Sequence, residues 1–379
     1  MKFQPATKHV LPGLILCLVC IICGCNQSNE YSIEAALSPK ETLGKLLFFE
    51  KQLSDPAGQD CSDCHDPQLA FADRNSGLPV SKGINPERYG NRNDMPIAYA
   101  SFVPPLHKDS LENIWIGGLF WDGRANDLAE QAMGPPLNQL EMANTDTASV
   151  FEKLINLEYS VMFKDVYGED ALSNPTMAYH NMADAIAAYE RTEEFRPFTS
   201  KFDYFLKGEA ELSEQEMRGM ALFVSELKGN CAACHPHTVL PDGTPPLFTD
   251  FSYDNLGTPK NPENPFYSLP KDLNPEGRDF VDLGLGVTVN DAAENGKFRV
   301  PTLRNVAITS PYLHNGVFKT LFQVVSFYNS RDVQSWPDPE VAENVNYDEM
   351  GDLGLTTREM ADIVSFLQTL TDGWLPQPE

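Results

Sequence analysis

Basic residues are scarce in this chain: 28 Lys and Arg stand against 54 Asp and Glu in 379 residues, a net charge of −26. A phosphate backbone would be repelled, so nucleic-acid binding is disfavoured. Sustained alternation of apolar and polar residues is also missing, which argues against a sheet-based fold. No apolar run reaches the ~20 residues that span a bilayer. The most apolar stretch, Leu11 to Ile22, follows Lys2 and Lys8 and ends Ile22-Cys23-Gly24-Cys25. This pattern predicts a lipoprotein signal peptide over residues 1–24, with Cys25 as the acylated new N-terminus. The mature chain is then exported to the periplasmic side of a bacterial membrane, the outer one by expectation, and meets the membrane through its lipid alone. Losing Lys2 and Lys8 but no acid takes the charge from −26 to −28. Such a surface suits steering of a basic soluble partner, and it equally suits plain solubility.

Cysteine is the next scarcity. Of eight, Cys17, Cys20 and Cys23 leave with the leader and Cys25 takes lipid, so only Cys61, Cys64, Cys231 and Cys234 remain. They form Cys61-Ser62-Asp63-Cys64-His65 and Cys231-Ala232-Ala233-Cys234-His235. A disulfide framework or a zinc site can use paired cysteines, but neither requires histidine directly after each second one. Covalent c-type haem attachment does: two thiols hold the vinyl groups and the histidine supplies the proximal nitrogen. Two haems c are therefore predicted, with His65 and His235 on the irons. The mature chain's other histidines, His107, His180, His237 and His314, read as ordinary surface or core residues.

Helix signals precede both attachment motifs. Ser38-Pro39-Lys40-Glu41 offers a capping box with proline at the first helical position, followed by Leu43, Leu46 and Leu47. Ser213 to Glu216 repeats the box, with Met217, Met220, Ala221 and Val224 as the expected apolar stripe. Thr356 to Glu359 caps a third helix carrying Met360, Ile363, Val364 and Leu367, and another is expected from about Met177 to Arg191. Intervening segments, such as 237–275, are dense in Pro, Gly, Asn and Asp. The predicted fold is mainly α: two cytochrome c-like domains with long irregular loops and one c-type haem each. Residues 25–37 form a tether, 38–203 the N-terminal haem domain and 204–379 the C-terminal one.

Several strings, in this order, resemble the bacterial di-haem cytochrome c peroxidase and MauG family across most of residues 38–370. They are Leu47-Phe48-Phe49, Cys61 to His65, Phe120 to Ala125, Glu130-Gln131-Ala132, Glu141-Met142, Cys231 to His235 and Phe298 to Asn305. The resemblance implies a peroxidatic first haem, an electron-accepting second haem and Trp121 between them. It makes Glu141 the distal acid that moves protons during peroxide cleavage, and Gln131 its polar neighbour. It also implies an inter-domain calcium ion held by Asn93 and the backbone of Thr309 and Pro311, oxygen ligands of the kind calcium takes.

Three positions depart from parts of that family. In the reductively activated peroxidases a loop histidine blocks the first iron, whereas here Gly77 to Gly83 is followed by Ile84, which cannot bind metal. The first haem is therefore expected to be open without prior reduction. Fourteen residues beyond His314, where peroxidases of the family place an axial methionine, stands Tyr328, as MauG-type members have it. MauG-type members carry tryptophan six residues before the second haem histidine; here that position is Gly229.

The resulting expectation is a peroxidase that reduces hydrogen peroxide to water. Its electrons come from a small cytochrome c or copper protein through the second haem, and homodimerisation is carried over from the family. Two other readings stand beside it. A MauG-like oxidase acting on a protein or another substrate is favoured by Ile84 and Tyr328 and disfavoured by Gly229. A non-enzymatic di-haem electron-transfer protein is disfavoured by Glu141 and by the missing distal ligand.

Overall fold

In the computed structural model the described residues are 36–74 and 77–375. The predicted signal peptide, residues 1–24, and the lipidation candidate Cys25 lie outside them. Among the described residues no helix is long and apolar enough to cross a membrane.

The helices follow the cap signals. α1 (Pro39–Phe48) starts on the Ser38/Glu41 capping box. Short helices α2 (Leu128–Ala132), α3 (Thr147–Leu154) and α4 (Val161–Tyr167) precede α5 (Pro175–Glu190), whose first turn is held by Asn174 accepting from the Met177 amide. α6 (Lys201–Leu206) leads to α7 (Glu214–Val224), which begins on the Ser213/Glu216 box. α8 (Leu285–Val289), α9 (Leu321–Ser330) and α10 (Thr357–Gln368) complete the described helices, the last on the Thr356/Glu359 box. Strand structure is slight: β1 (His107–Lys108) pairs antiparallel with β2 (Trp115–Ile116), and β3 (Tyr253–Asp254) with β4 (Phe298–Arg299). β3 falls within the 237–275 segment that the sequence presents as loop.

The two halves repeat one helix crossing. α1 packs on α5 and α7 on α10, each through a glycine six residues beyond the cap serine. A Cβ on Gly44 would sit 1.9 Å from the Ala185 carbonyl oxygen, and one on Gly219 would sit 1.9 Å from that of Asp362. Only a residue without a side chain permits that approach. Four residues further along each glycine helix, Phe48 meets Tyr189 edge-on at 5.5 Å and Phe223 meets Phe366 at 5.2 Å. The stripe expected on α7 is accordingly displaced: Gly219 and Phe223 are buried, while Met217 and Ala221 are exposed. On α1, Leu43 and Leu47 are fully buried but Leu46 faces solvent.

Two apolar cores result. One gathers α1, α3, α4 and α5 with Phe71, Phe195 and Leu247; the other gathers α7, α9 and α10 with Phe202 and Phe248. The chain passes from the first core to the second between Phe198 and Phe202.

Candidate haem cavities

Each attachment motif forms one 3-10 turn, with the histidine amide donating to the first cysteine's carbonyl at 2.8 Å (His65) and 2.9 Å (His235). The imidazoles are then fixed in the same way. His65 Nδ1 lies 3.1 Å from the Phe71 carbonyl oxygen, and His235 Nδ1 lies 2.7 Å from that of Phe248. Both phenylalanines turn their carbonyls through left-handed backbone, φ 58° and 53°. With Nδ1 engaged, Nε2 is the nitrogen left for a metal. Burial lowers the pKa of both imidazoles, that of His235 to about 4, which keeps them in the neutral ligating form.

Cys61, Cys64 and His65 line one open cavity of about 1420 Å³; Cys231, Cys234 and His235 line another of about 1270 Å³. The four cysteines are free thiols, not disulfides. Neither motif draws its own two cysteines and histidine within common metal-ligand reach; Cys234 instead lies within 4.8 Å of carboxylate oxygens of Asp254 and Glu349. Large cavities of mostly apolar lining, each with two thiols and a pre-oriented histidine on its wall, fit a covalently attached haem.

In the first cavity Glu141, on the loop after α2, is the distal candidate. Asn138 Nδ2 donates to its Oε1 at 2.7 Å. Burial, then the neighbouring Asp94, pushes its carboxyl up to about 7, against the pull of Arg124, Asn138 and His65. Gln131 of α2 lines the same cavity, whose one histidine is His65. Ile84 donates its amide to the Glu141 carbonyl at 2.9 Å, so the loop lies against Glu141, yet Ile84 faces a neighbouring hollow and does not line the haem cavity. His107 is exposed on β1 and bonded to the Pro105 carbonyl. Met95 and Met142 do line the cavity, with Met95 Sδ approached by Arg299 Nη2 at 3.6 Å.

Trp121 lines both cavities, is 9% exposed, and donates Nε1 to the Asn93 carbonyl at 2.7 Å. Arg299 also lines both and donates its amide to the Trp121 carbonyl at 2.9 Å. Tyr328, on α9, lines the second cavity, and burial raises its phenol above the usual range. Gly229 lines that cavity too; a Cβ there would stand 2.4 Å from the Leu222 carbonyl oxygen, so a large side chain would require the backbone to shift. His314, read as an ordinary residue, stacks on Phe298 at 3.6 Å on the same cavity wall. Of the residues expected at calcium, Asn93 Nδ2 donates to the Pro311 carbonyl at 2.7 Å, whereas the Thr309 hydroxyl bonds Val306.

Sequence reasoning missed Arg299, Asp94 and Glu190. Asp94 Oδ2 stands 3.3 Å from His65 Nδ1, and Glu190 is buried on the first cavity wall. Arg299 belongs to the Phe298 to Asn305 string, which gives it no role of its own, and Asp94 and Glu190 carry no local signal.

Paired attachment cavities with a tryptophan common to both fit a di-haem c-type protein. The family described as di-haem cytochrome c peroxidase matches residues 38–211. The methylamine utilization protein MauG of Paracoccus denitrificans is 39% identical over 349 residues, covering 87% of this chain and 88% of that one. The cytochrome c551 peroxidase of Nitrosomonas europaea is 32% identical over 335 residues, covering 87% and 79%. The crystal structure of the diheme peroxidase BthA from Burkholderia thailandensis aligns with a TM-score of 0.78 at 33% identity, covering 90% of this chain and 88% of that one. The chain belongs to the di-haem cytochrome c peroxidase and MauG family, whose members imply two c-type haems.

Proposed function

We propose that this protein reduces hydrogen peroxide to two waters at the first cavity, consuming two protons and two electrons. The observation that carries the reading is Glu141: a buried carboxyl, oriented by Asn138 and near neutrality in its pKa, on the wall of a cavity whose single histidine is the proximal one. A haem bound at His65 supplies the peroxide-binding and electron-accepting chemistry. Glu141 takes the proton from one peroxide oxygen and returns it to the departing oxygen, a transfer that a group with pKa near 7 performs in both directions. Gln131 orients the peroxide. Trp121, packed between the cavities, serves the passage of single electrons from the second haem.

The rest of the reading is proposed with it. Residues 38–203 and 204–379 are the two haem domains. Electrons come from a small cytochrome c or copper protein, a lipid on Cys25 holds the enzyme at the periplasmic side of the outer membrane, and two copies pair. A calcium ion bound by Asn93 with the Thr309 and Pro311 carbonyls would join the segments that Asn93 already ties together.

Because Ile84 takes the place of a blocking histidine, the fully oxidised protein should show a high-spin EPR signal from the first haem and turn over peroxide without prior reduction. Two low-spin signals alone would sink the open site and point to a protein ligand such as Met142.

MauG-like oxidation of a protein or other substrate is the second reading, favoured by Tyr328 on the second cavity wall. An anionic phenolate on that iron favours its higher oxidation state. Tyr328→Phe should alter the absorption and EPR of the second haem only; an unchanged spectrum removes Tyr328 as a ligand. The crowding at Gly229 counts against a tryptophan-mediated route at that position.

A further inference from the structure

The repeated helix crossing puts the two halves in register. Gly44 meets the Ala185 carbonyl and Tyr189 Cβ; Gly219 meets the Asp362 carbonyl and Phe366 Cβ. Ala185 thus corresponds to Asp362 and Tyr189 to Phe366. One residue further on, Glu190 corresponds to Leu367, and one turn earlier Ile186 corresponds to Ile363. All four line their cavities, Ile186 and Glu190 the first, Ile363 and Leu367 the second. Where the second half covers its haem cavity with leucine, the first places a carboxyl that is only 4% exposed and whose Oε2 has no hydrogen-bond partner. A carboxyl is a costly choice at a position that leucine fills in the other half.

We propose that Glu190 is the proton partner of the first haem, taking up one proton when that haem gains an electron and releasing it on reoxidation. This rests on the first cavity holding a haem. The exchange balances: a donor protein supplies the electron, solvent supplies the proton, and the carboxylate becomes a carboxyl. Negative charge added nearby disfavours the carboxylate, and by linkage the protonated carboxyl favours the reduced haem.

Burial pushes Glu190 up to about 8, opposed only by Arg191, so its proton occupancy is poised near physiological pH. Of the attachment turn, Cys61 lies within electrostatic reach of it, with Asp60 beyond. The cations on elements packed against α5 are engaged elsewhere: Lys40 with Asp184, Lys45 with Glu194, and Lys153 of α3 with Ser54 and Asn144. Glu130 of α2 is bonded to Asn126. Across the cavity stand His65, Lys82, Arg92, Asp94, Arg124, Glu141 and Arg299; burial raises the carboxyls of Asp94 and of Glu141, the latter to about 7.

The test is potentiometry of the two-haem protein from pH 5.5 to 9, following each haem by its own spectrum. With Glu141→Gln as the background, the first haem's midpoint should fall with rising pH by up to about 59 mV per unit, the one-electron equivalent of a tenfold change. Adding Glu190→Gln or Glu190→Leu should flatten that slope and leave the second haem's unchanged. A slope that persists in both Glu190 variants, or that is absent without them, overturns the proposal. Fewer than two haems per wild-type chain by pyridine haemochrome would instead overturn the reading of the cavities, and the role of Glu190 with it.

Discussion

Glu141→Gln should lower kcat/KM for peroxide by about 10²–10⁴-fold, the usual contribution of a positioned acid–base group, equivalent to about 3–5 kcal/mol of transition-state stabilisation. Glutamine keeps the shape and can still bond Asn138, so haem content and the visible spectra should not change. The wild-type rate should rise as pH passes through about 7, because only the ionised carboxyl can accept the first peroxide proton, and this limb should vanish in the variant. Stability should move in the opposite sense. A carboxyl whose folded pKa lies above its ordinary 4.5 adds stability that is fully present below 4.5 and is lost as pH rises through about 7. At pH 8 the variant should therefore unfold at higher denaturant concentration than the wild type, which separates lost chemistry from lost folding. Stopped-flow rates within threefold of wild type would remove Glu141 from the reaction.

What the sequence makes legible is what depends on local chemistry. The capping boxes at Ser38, Ser213 and Thr356 form as their residue types dictate, because a hydroxyl and a carboxyl three residues apart satisfy the free amides of a helix start wherever it lies. The attachment motifs are equally local, whereas Glu141 is singled out only by the family resemblance. What stays hidden depends on the partner helix. Met217 and Ala221 fit a helical stripe, yet the buried face of α7 runs through Gly219, because the close crossing with α10 outweighs hydrophobicity. Glu190 carries no signal of its own until α5 brings it to the cavity wall near Cys61. The left-handed turns at Phe71 and Phe248 are hidden too, since bulky aromatic residues rarely adopt that backbone, and here it aims a carbonyl at each proximal histidine.

Arg304→Met should destabilise the protein by about 3–5 kcal/mol at pH 7, the cost of leaving one buried charge without its partner. Arg304 and Asp203 are both completely buried, joined by two hydrogen bonds of 2.9 and 3.0 Å, and Arg304 Nε also donates to the Pro246 carbonyl at 2.8 Å. Burial alone would raise the Asp203 carboxyl, but Arg304 and Ser200 outweigh it and hold it below its usual range. A depressed carboxyl contributes stability above its unfolded pKa of about 3.9 and loses it as pH falls further, so the wild type should weaken in strong acid. In the variant Asp203 can accept a proton, so the difference between the two proteins should shrink as pH drops towards 4. The guanidinium also stands 5.0 Å from the Tyr99 ring and 4.5 Å from Phe198, both packed with the first core, while Phe202, beside Asp203, packs in the second. Arg304 thus ties the two cores across their junction, and its loss should split one urea transition into two, the half containing α7 and α10 unfolding first. A single transition shifted by less than about 1 kcal/mol, the range of an exposed ion pair, would show that the junction is held by other contacts.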